Sequence, residues 1–353
     1  MIRVKRRFAM KPFSAGSTHS IFVTTLGEVY TSGTNTVGAF VKQGGGPNHR
    51  APRKVENLPP IKAAAAGDNF SLFLDFEGNV WGAGKSNNGQ LGRVYSGGIR
   101  TPEKLALPIA IQAVAASHND FSLFLDINGN VWGCGVSEQG QLGVRAVIQL
   151  PTMIPSLPII TDVSAGTSHA LFLDNEMNVW GVGNDVFGQL GLGITATYAY
   201  SPKKMQNVPA SVSKISAGSC HSLLLDANGQ AWACGRNENG QLALAHRTAV
   251  SRPQPCQGLP PIAIICAGNQ KSIFVDVEGK VWRCGNDKEP ELLEGLEGVQ
   301  CAESFTHNSI FLDSTGTVWV AYHNKVVLHK VENLPDLAWD QGRFKKTKSA
   351  RKP

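Results

Sequence analysis

The chain has 353 residues, 42% hydrophobic and 17% charged, which is enough apolar material for a sizeable core and excludes global disorder. No apolar run approaches the roughly 18 residues of a membrane span, and no hydrophobic stretch follows the basic segment from Met1 to Lys11 as a secretory leader requires, so the expectation is a cytoplasmic or nuclear protein without membrane insertion. The formal net charge of +6 is concentrated at the ends: Arg3, Lys5, Arg6, Arg7 and Lys11 at one, Arg343, Lys345, Lys346, Lys348, Arg351 and Lys352 at the other, which leaves 22 basic residues against 27 acidic ones between them.

In chain order, residues 1–13 read as a basic segment with a closing strand, 14–338 as one repeat domain and 339–353 as a basic, disordered tail. Within the domain an apolar strand opened by Ser or Ala recurs at Ser20, Ser71, Ser122, Ala170, Ser222, Ser272 and Ser309, at intervals of 51, 51, 48, 52, 50 and 37 residues. A run such as Ser71-Leu-Phe-Leu-Asp75 is short, apolar and followed by turn residues, so it predicts a buried strand. Asp75-Phe-Glu-Gly78 then places Asp first and Gly fourth in a type I turn, with the glycine supplying a positive φ on re-entry to the ladder. Asp126 with Gly129, Asp226 with Gly229, Asp276 with Gly279 and Asp313 with Gly316 repeat it. Met177 stands where the fourth copy needs glycine, which predicts a distorted turn or one that uses Asn178. The return strand begins Val-Trp-Gly-x-Gly. A third element carries Gly-Gln-Leu-Gly at 89–92, 140–143 and 188–191 and Gly-Gln-Leu-Ala at 240–243, and a fourth follows Pro52, Pro102, Pro151, Pro202 and Pro253.

Four short strands in each of seven units predict an all-β, seven-bladed β-propeller of four-stranded blades, because radial packing buries both faces of every blade. The stretch Val326 to Pro335 matches Lys54 to Pro59 and supplies the Pro-rich strand that the first unit lacks ahead of it. The ring is therefore expected to close through its N- and C-terminal strands, bringing both basic ends to one sector of the rim.

Chemistry-bearing patterns are absorbed by the repeat. Cys134, Cys234 and Cys284 share one repeat position and no CxxC occurs, so the thiols read as structural. Gly84-Lys85-Ser86 looks like part of a phosphate loop until its counterparts Gly135-Val-Ser, Gly183-Asn-Asp and Gly235-Arg-Asn are set beside it. No metal-ligand spacing and no nucleophile beside a local base stands out; no cofactor, metal or catalytic residue is expected.

The full pattern, Ala-Gly-x-x-His-Ser-Leu-x-Leu-Asp-x-x-Gly-x-Val-Trp followed by Gly-Gln-Leu-Gly, resembles the repeat of the regulator of chromosome condensation family from about residue 14 to 335. The resemblance implies a seven-bladed, protein-binding propeller, in a family that spans Ran exchange factors, chromatin-binding proteins, ubiquitin-ligase propellers, a plant ultraviolet-B photoreceptor and bacterial enzyme inhibitors. Six tryptophans fill one structural slot each, with Tyr30 in the first unit and only Trp339 outside, so the photoreceptor's tryptophan cluster is missing. The family's exchange factors present acids and histidines to the GTPase from the loop entering each apolar strand. The matching loops here hold Asp68, Asn69, Asn119 and Asp120 as candidate partner-binding residues, together with His19, His169, His221 and His307; as regular repeat members the histidines also fit a role in holding blades together. No interval exceeds 52 residues, so the wedge such exchange factors carry is not evident. The expectation is a monomeric, non-catalytic interaction propeller that binds a protein through one channel mouth. Two alternatives stand beside it: nucleotide exchange on a Ran-type small GTPase, and association with chromatin or nucleic acid through Arg6, Arg7, Arg343, Lys345, Lys346, Lys348, Arg351 and Lys352, with an affinity that falls with salt.

Overall fold

Apolar runs of five or six residues punctuated by Asp-x-x-Gly turns can bury both faces only as strands packed between neighbouring sheets, and the structure bears this out. The computed structural model describes residues 12–34, 48–194, 197–305, 308–322 and 328–337. Seven four-stranded antiparallel sheets follow one another, each built from four consecutive strands in chain order. They span 13–54, 61–104, 111–153, 160–204, 212–255, 262–292 and 299–330, and are called blades 1 to 7. The first strands of successive blades meet around an axis, and that of blade 1 also meets that of blade 7. The fold is a seven-bladed β-propeller.

The second strands of blades 2 to 6, such as Phe70–Asp75 and His221–Asp226, are buried at every residue. Their side chains enter six of seven apolar clusters, one at each junction, the seventh, between blades 7 and 1, being built around Phe22, Ile310 and Leu312; Leu72, Leu74, Leu91 and Phe124 build the one between blades 2 and 3. Each fully buried Leu or Phe contributes about 1.5–3 kcal/mol of transfer free energy.

The repeated Asp and Trp prove to be a single device. Asp126 Oδ1 accepts the amides of Asn128 and Asn130 at 2.8 and 2.9 Å, and its Oδ2 accepts Trp132 Nε1 at 3.0 Å. The same indole-to-carboxylate bond, 2.8–3.1 Å, ties the turn to the third strand in each of blades 2 to 7. The distortion expected at Met177 does not occur. Met177 adopts φ 67°, its amide reaches Asp174 O at 3.2 Å, and the bonds from Asn178 N (2.8 Å) and Trp180 Nε1 (2.9 Å) to Asp174 hold the turn in shape. The surrounding bonds over-determine a conformation that costs a side-chain-bearing residue energy.

Blade 1 has Thr24 and Tyr30 in the Asp and Trp positions, and it is where the ring closes. Leu337 forms a bridge with Thr24, and Thr25 N donates to Asp336 O at 3.0 Å. In blades 2 and 3 the residue paired at this position, Ile61 with Asp75 and Ile111 with Asp126, is the first of the inner strand. The inner strand of blade 1 is thus made in two pieces, Leu337 from one end of the chain and Phe13–Ala15 from the other. The sealing segment takes the part its sequence match implies: Lys330 pairs with Trp319 as Lys54 pairs with Tyr30, so Leu328–Lys330 is the outer strand of blade 7, and residues 331–336 lead on to the closing contact.

Candidate interaction mouth

The loops between first and second strands emerge together at one end of the ring and touch. Thr18 Oγ1 donates to Asp68 O at 3.0 Å, Thr167 Oγ1 lies 3.0 Å from Ser219 Oγ, and Ser219 N donates to Gly268 O at 3.1 Å. The approach is so close that a Cβ on Gly166 or Gly218 would stand 2.5 Å from the next loop's carbonyl oxygen. Phe305 takes that glycine position in blade 7. Its ring stacks on His118 of blade 3, with centroids 3.5 Å apart and planes 8° from parallel. Blades 3 and 7 are not neighbours, so this stack spans the mouth.

Of the residues singled out in the sequence, Asp68, Asn69 and Asn119 are half-buried at the mouth. Asn69 Nδ2 donates to Asp68 Oδ2 at 2.6 Å, and Asn119 N donates to Ser117 Oγ at 2.7 Å. Asp120 is placed differently. The inner strand pairs Ala66 with Ser71 in blade 2 but Ala116 with Ser122 in blade 3, so the third loop is one residue longer. Asp120 absorbs the extra residue at φ 56° and is 7% exposed. Its carboxylate turns back onto blade 2, accepting Lys85 Nζ at 2.6 Å, Asn88 Nδ2 at 2.9 Å and Gln90 Nε2 at 3.0 Å. Glycine at 135 makes room for it, because a Cβ there would lie 2.2 Å from Asp120 O.

His19, His169 and His221 are buried, and each ring Nε2 pairs with a serine of the following blade: Ser71 at 2.8 Å, Ser222 at 3.0 Å and Ser272 at 2.9 Å. Burial lowers their pKa values to about 4, 3 and 4, which keeps the rings neutral near pH 7. The thiols of Cys134 and Cys284 are likewise enclosed, pushed up to about 12 by burial. His307 and the basic residues Arg6, Arg7, Arg343, Lys345, Lys346, Lys348, Arg351 and Lys352 lie outside the described residues. Among the described residues no group of three or more His, Cys, Asp or Glu is arranged to hold a metal ion.

The stacked pair His118 and Phe305 was not singled out in the sequence. Two signals point to it: a phenylalanine in the glycine position of the seventh loop, and the extra residue of the third.

Seven consecutive four-stranded blades around a ring of variable loops define the class, a β-propeller of tandem repeats. The chain belongs to the RCC1-like domain family, whose model matches residues 3–304. It is 27% identical to the regulator of chromosome condensation of Xenopus laevis over 281 residues, covering 70% of this chain and 65% of that one. It is 33% identical to the mouse E3 ubiquitin-protein ligase HERC2 over 167 residues, 44% of this chain and 3% of the ligase. The match therefore spans less than two thirds of either relative. Among solved structures, human WBSCR16 superposes with a TM-score of 0.78 at 20% identity, covering 88% of this chain and 94% of that one. Prp20p of Saccharomyces cerevisiae gives 0.75 at 21%, covering 85% and 81%. At these identities the structural likeness concerns the fold.

Proposed function

We propose that the protein is a non-catalytic interaction propeller that receives a protein partner on the mouth formed by the loops between first and second strands. The supporting observation is a division of labour among the described residues: Asp120, His19, His169 and His221 spend their side-chain polar atoms between blades, while Asp68 and Asn119 remain half-buried at the mouth with no side-chain bond to another blade, and Asn69 beside them makes one long contact, 3.5 Å, to Thr18. Polar groups that a propeller does not need for its own packing are the ones free to read a partner. The test is affinity capture from cell extract with the wild-type chain and with Asp68→Arg/Asn119→Arg. At least one protein should be retained by the wild type and lost by a variant of unchanged melting temperature; identical capture by both would overturn the proposal.

Nucleotide exchange on a Ran-type GTPase is a finer reading. It is supported by relatives named as regulators of chromosome condensation and by the shared fold of Prp20p, a protein with binding properties to Gsp1p and histones. Asp68 is the acid it would use. Catalytic amounts of the protein should then speed release of labelled GDP, and Asp68→Ala should blunt the effect; an unchanged release rate excludes exchange on that GTPase. The basic ends support a separate contact with nucleic acid or chromatin through charge alone. Retention of a duplex DNA probe should fall steeply with salt and disappear on removal of residues 341–353.

A further inference from the structure

Four of the seven blade junctions are filled by the same peptide. Gln90-Leu91, Gln141-Leu142, Gln189-Leu190 and Gln241-Leu242 are all buried, each wedged against the following blade. At three of these junctions the receiving serine, Ser122, Ser222 or Ser272, donates to the Gln carbonyl at 2.6–2.7 Å, and a cysteine thiol lies 3.4–3.5 Å from the same oxygen. At the fourth, the receiving positions are Ala170 and Val182. Receiver and plug are matched.

Blade 6 has no plug. Its third strand turns through Asn286 and Asp287, at φ 53° and 66°, straight into the outer strand Lys288–Leu292. Blade 7 nevertheless keeps the receiving Ser309, and the slot in front of it is a cavity of about 210 Å³. Ile273, Leu293, Phe311 and Ala321 form its apolar walls, and half-buried Asn286 with exposed Lys288 opens it to solvent.

The slot also differs in charge. Lys271 replaces the histidine that elsewhere pairs with the next blade's serine; it is 8% exposed and, among the described residues, has no ion-pair partner. Arg283 lies beside it with its side chain 15% exposed, held by Glu291 at 2.6 Å, and Lys288 shares that same carboxylate at 2.8 Å. Lys271, Arg283 and Lys288 all line the slot, and among the described residues no Asp or Glu does. Burial first, and the Arg283 charge second, bring the Lys271 pKa down to about 8, a strain that a bound anion would relieve.

We propose that the slot between blades 6 and 7 accepts an acidic peptide segment from a partner, an Asp or Glu followed by a Leu-sized residue. The carboxylate sits on Lys271 and Arg283, and the apolar side chain lies against Ile273, Leu293 and Phe311. A peptide is favoured as occupant because sibling junctions are filled by a polar residue followed by leucine. The site is distinct from the mouth and goes beyond the mouth's proposed role. Fluorescence anisotropy with an end-blocked, labelled Gly-Gly-Glu-Leu-Gly peptide tests it against the same peptide carrying Gln for Glu, with inorganic phosphate as a separate titrant. The Glu peptide should bind at least about tenfold more tightly than the Gln peptide. Lys271→Met and Ala321→Leu, which fills the slot without touching charge, should each abolish that preference, whereas Asp68→Arg should leave it intact. Equal binding of the two peptides, or a preference that survives both slot variants, would overturn the proposal. Phosphate uptake without peptide binding would overturn the peptide assignment as well.

Discussion

The two ends of the ring are built from the same strands and obey different rules. At the end carrying the Asp-x-x-Gly turns, six blades repeat one set of hydrogen bonds around an aspartate. At the mouth each loop differs from the next, in residue type and, in blade 3, in length. Recurrence in a closed ring marks what every blade needs in order to pack, and departure marks what only one location needs. The difference is not absolute: Asp120 sits at the variable end yet ties two blades together, and Met177 departs from the repeat at the constant end while keeping its geometry.

The contrast can be broken or sharpened experimentally, beginning with acid, where four carboxylates act at once. Burial alone would raise the pKa values of Asp75, Asp126, Asp174 and Asp313, but hydrogen bonds from tryptophan, asparagine or threonine side chains and turn amides outweigh it and hold them below the usual range. A folded-state pKa below the unfolded one of about 4 gives stability that is complete above that value and lost as pH falls through the depressed one. The urea midpoint should stay level from about pH 7 to 5 and drop below about 4, with the drop reduced in Asp126→Asn; a level midpoint down to about pH 2 would refute the role given to the turn aspartates. Asp126→Ala, which strips four hydrogen bonds from a site 1% exposed, should cost about 3 kcal/mol in urea unfolding. Asp120→Ala should cost about 2 kcal/mol, less because Lys85, with its side chain 29% exposed, regains water. Met177→Gly should stabilise by about 1 kcal/mol, since glycine adopts the same positive φ without strain. Asp68→Ala should change stability by less than about 0.5 kcal/mol while impairing partner capture; a large loss of stability would move Asp68 to the architectural side.

Much of this was legible in the sequence, because strand, turn and tryptophan positions lie within one unit and repeat at a fixed spacing. The closure was partly legible: the match of Val326 to Pro335 with Lys54 to Pro59 located it, but the pairing that makes Leu337 the missing start of the first inner strand joins opposite ends of the chain. Asp68 and Asp120 looked alike as departures from the repeat. Their different fates depend on one extra residue and on Lys85, 35 positions earlier in another blade. The stack of His118 on Phe305 depends on the diameter of the ring, which no local pattern encodes. The empty slot, by contrast, was visible as a unit shortened to 37 residues, though its charge required knowing which side chains face it.

Amide hydrogen–deuterium exchange of the protein alone and with a captured partner tests the assignment of the two ends most directly. Protection is predicted in loops 66–70, 116–121, 166–169 and 217–221, with the turns at 75–78, 126–129 and 276–279 unchanged. Protection concentrated instead on those turns, where Phe76, Ile127 and Val277 are exposed, would contradict the account.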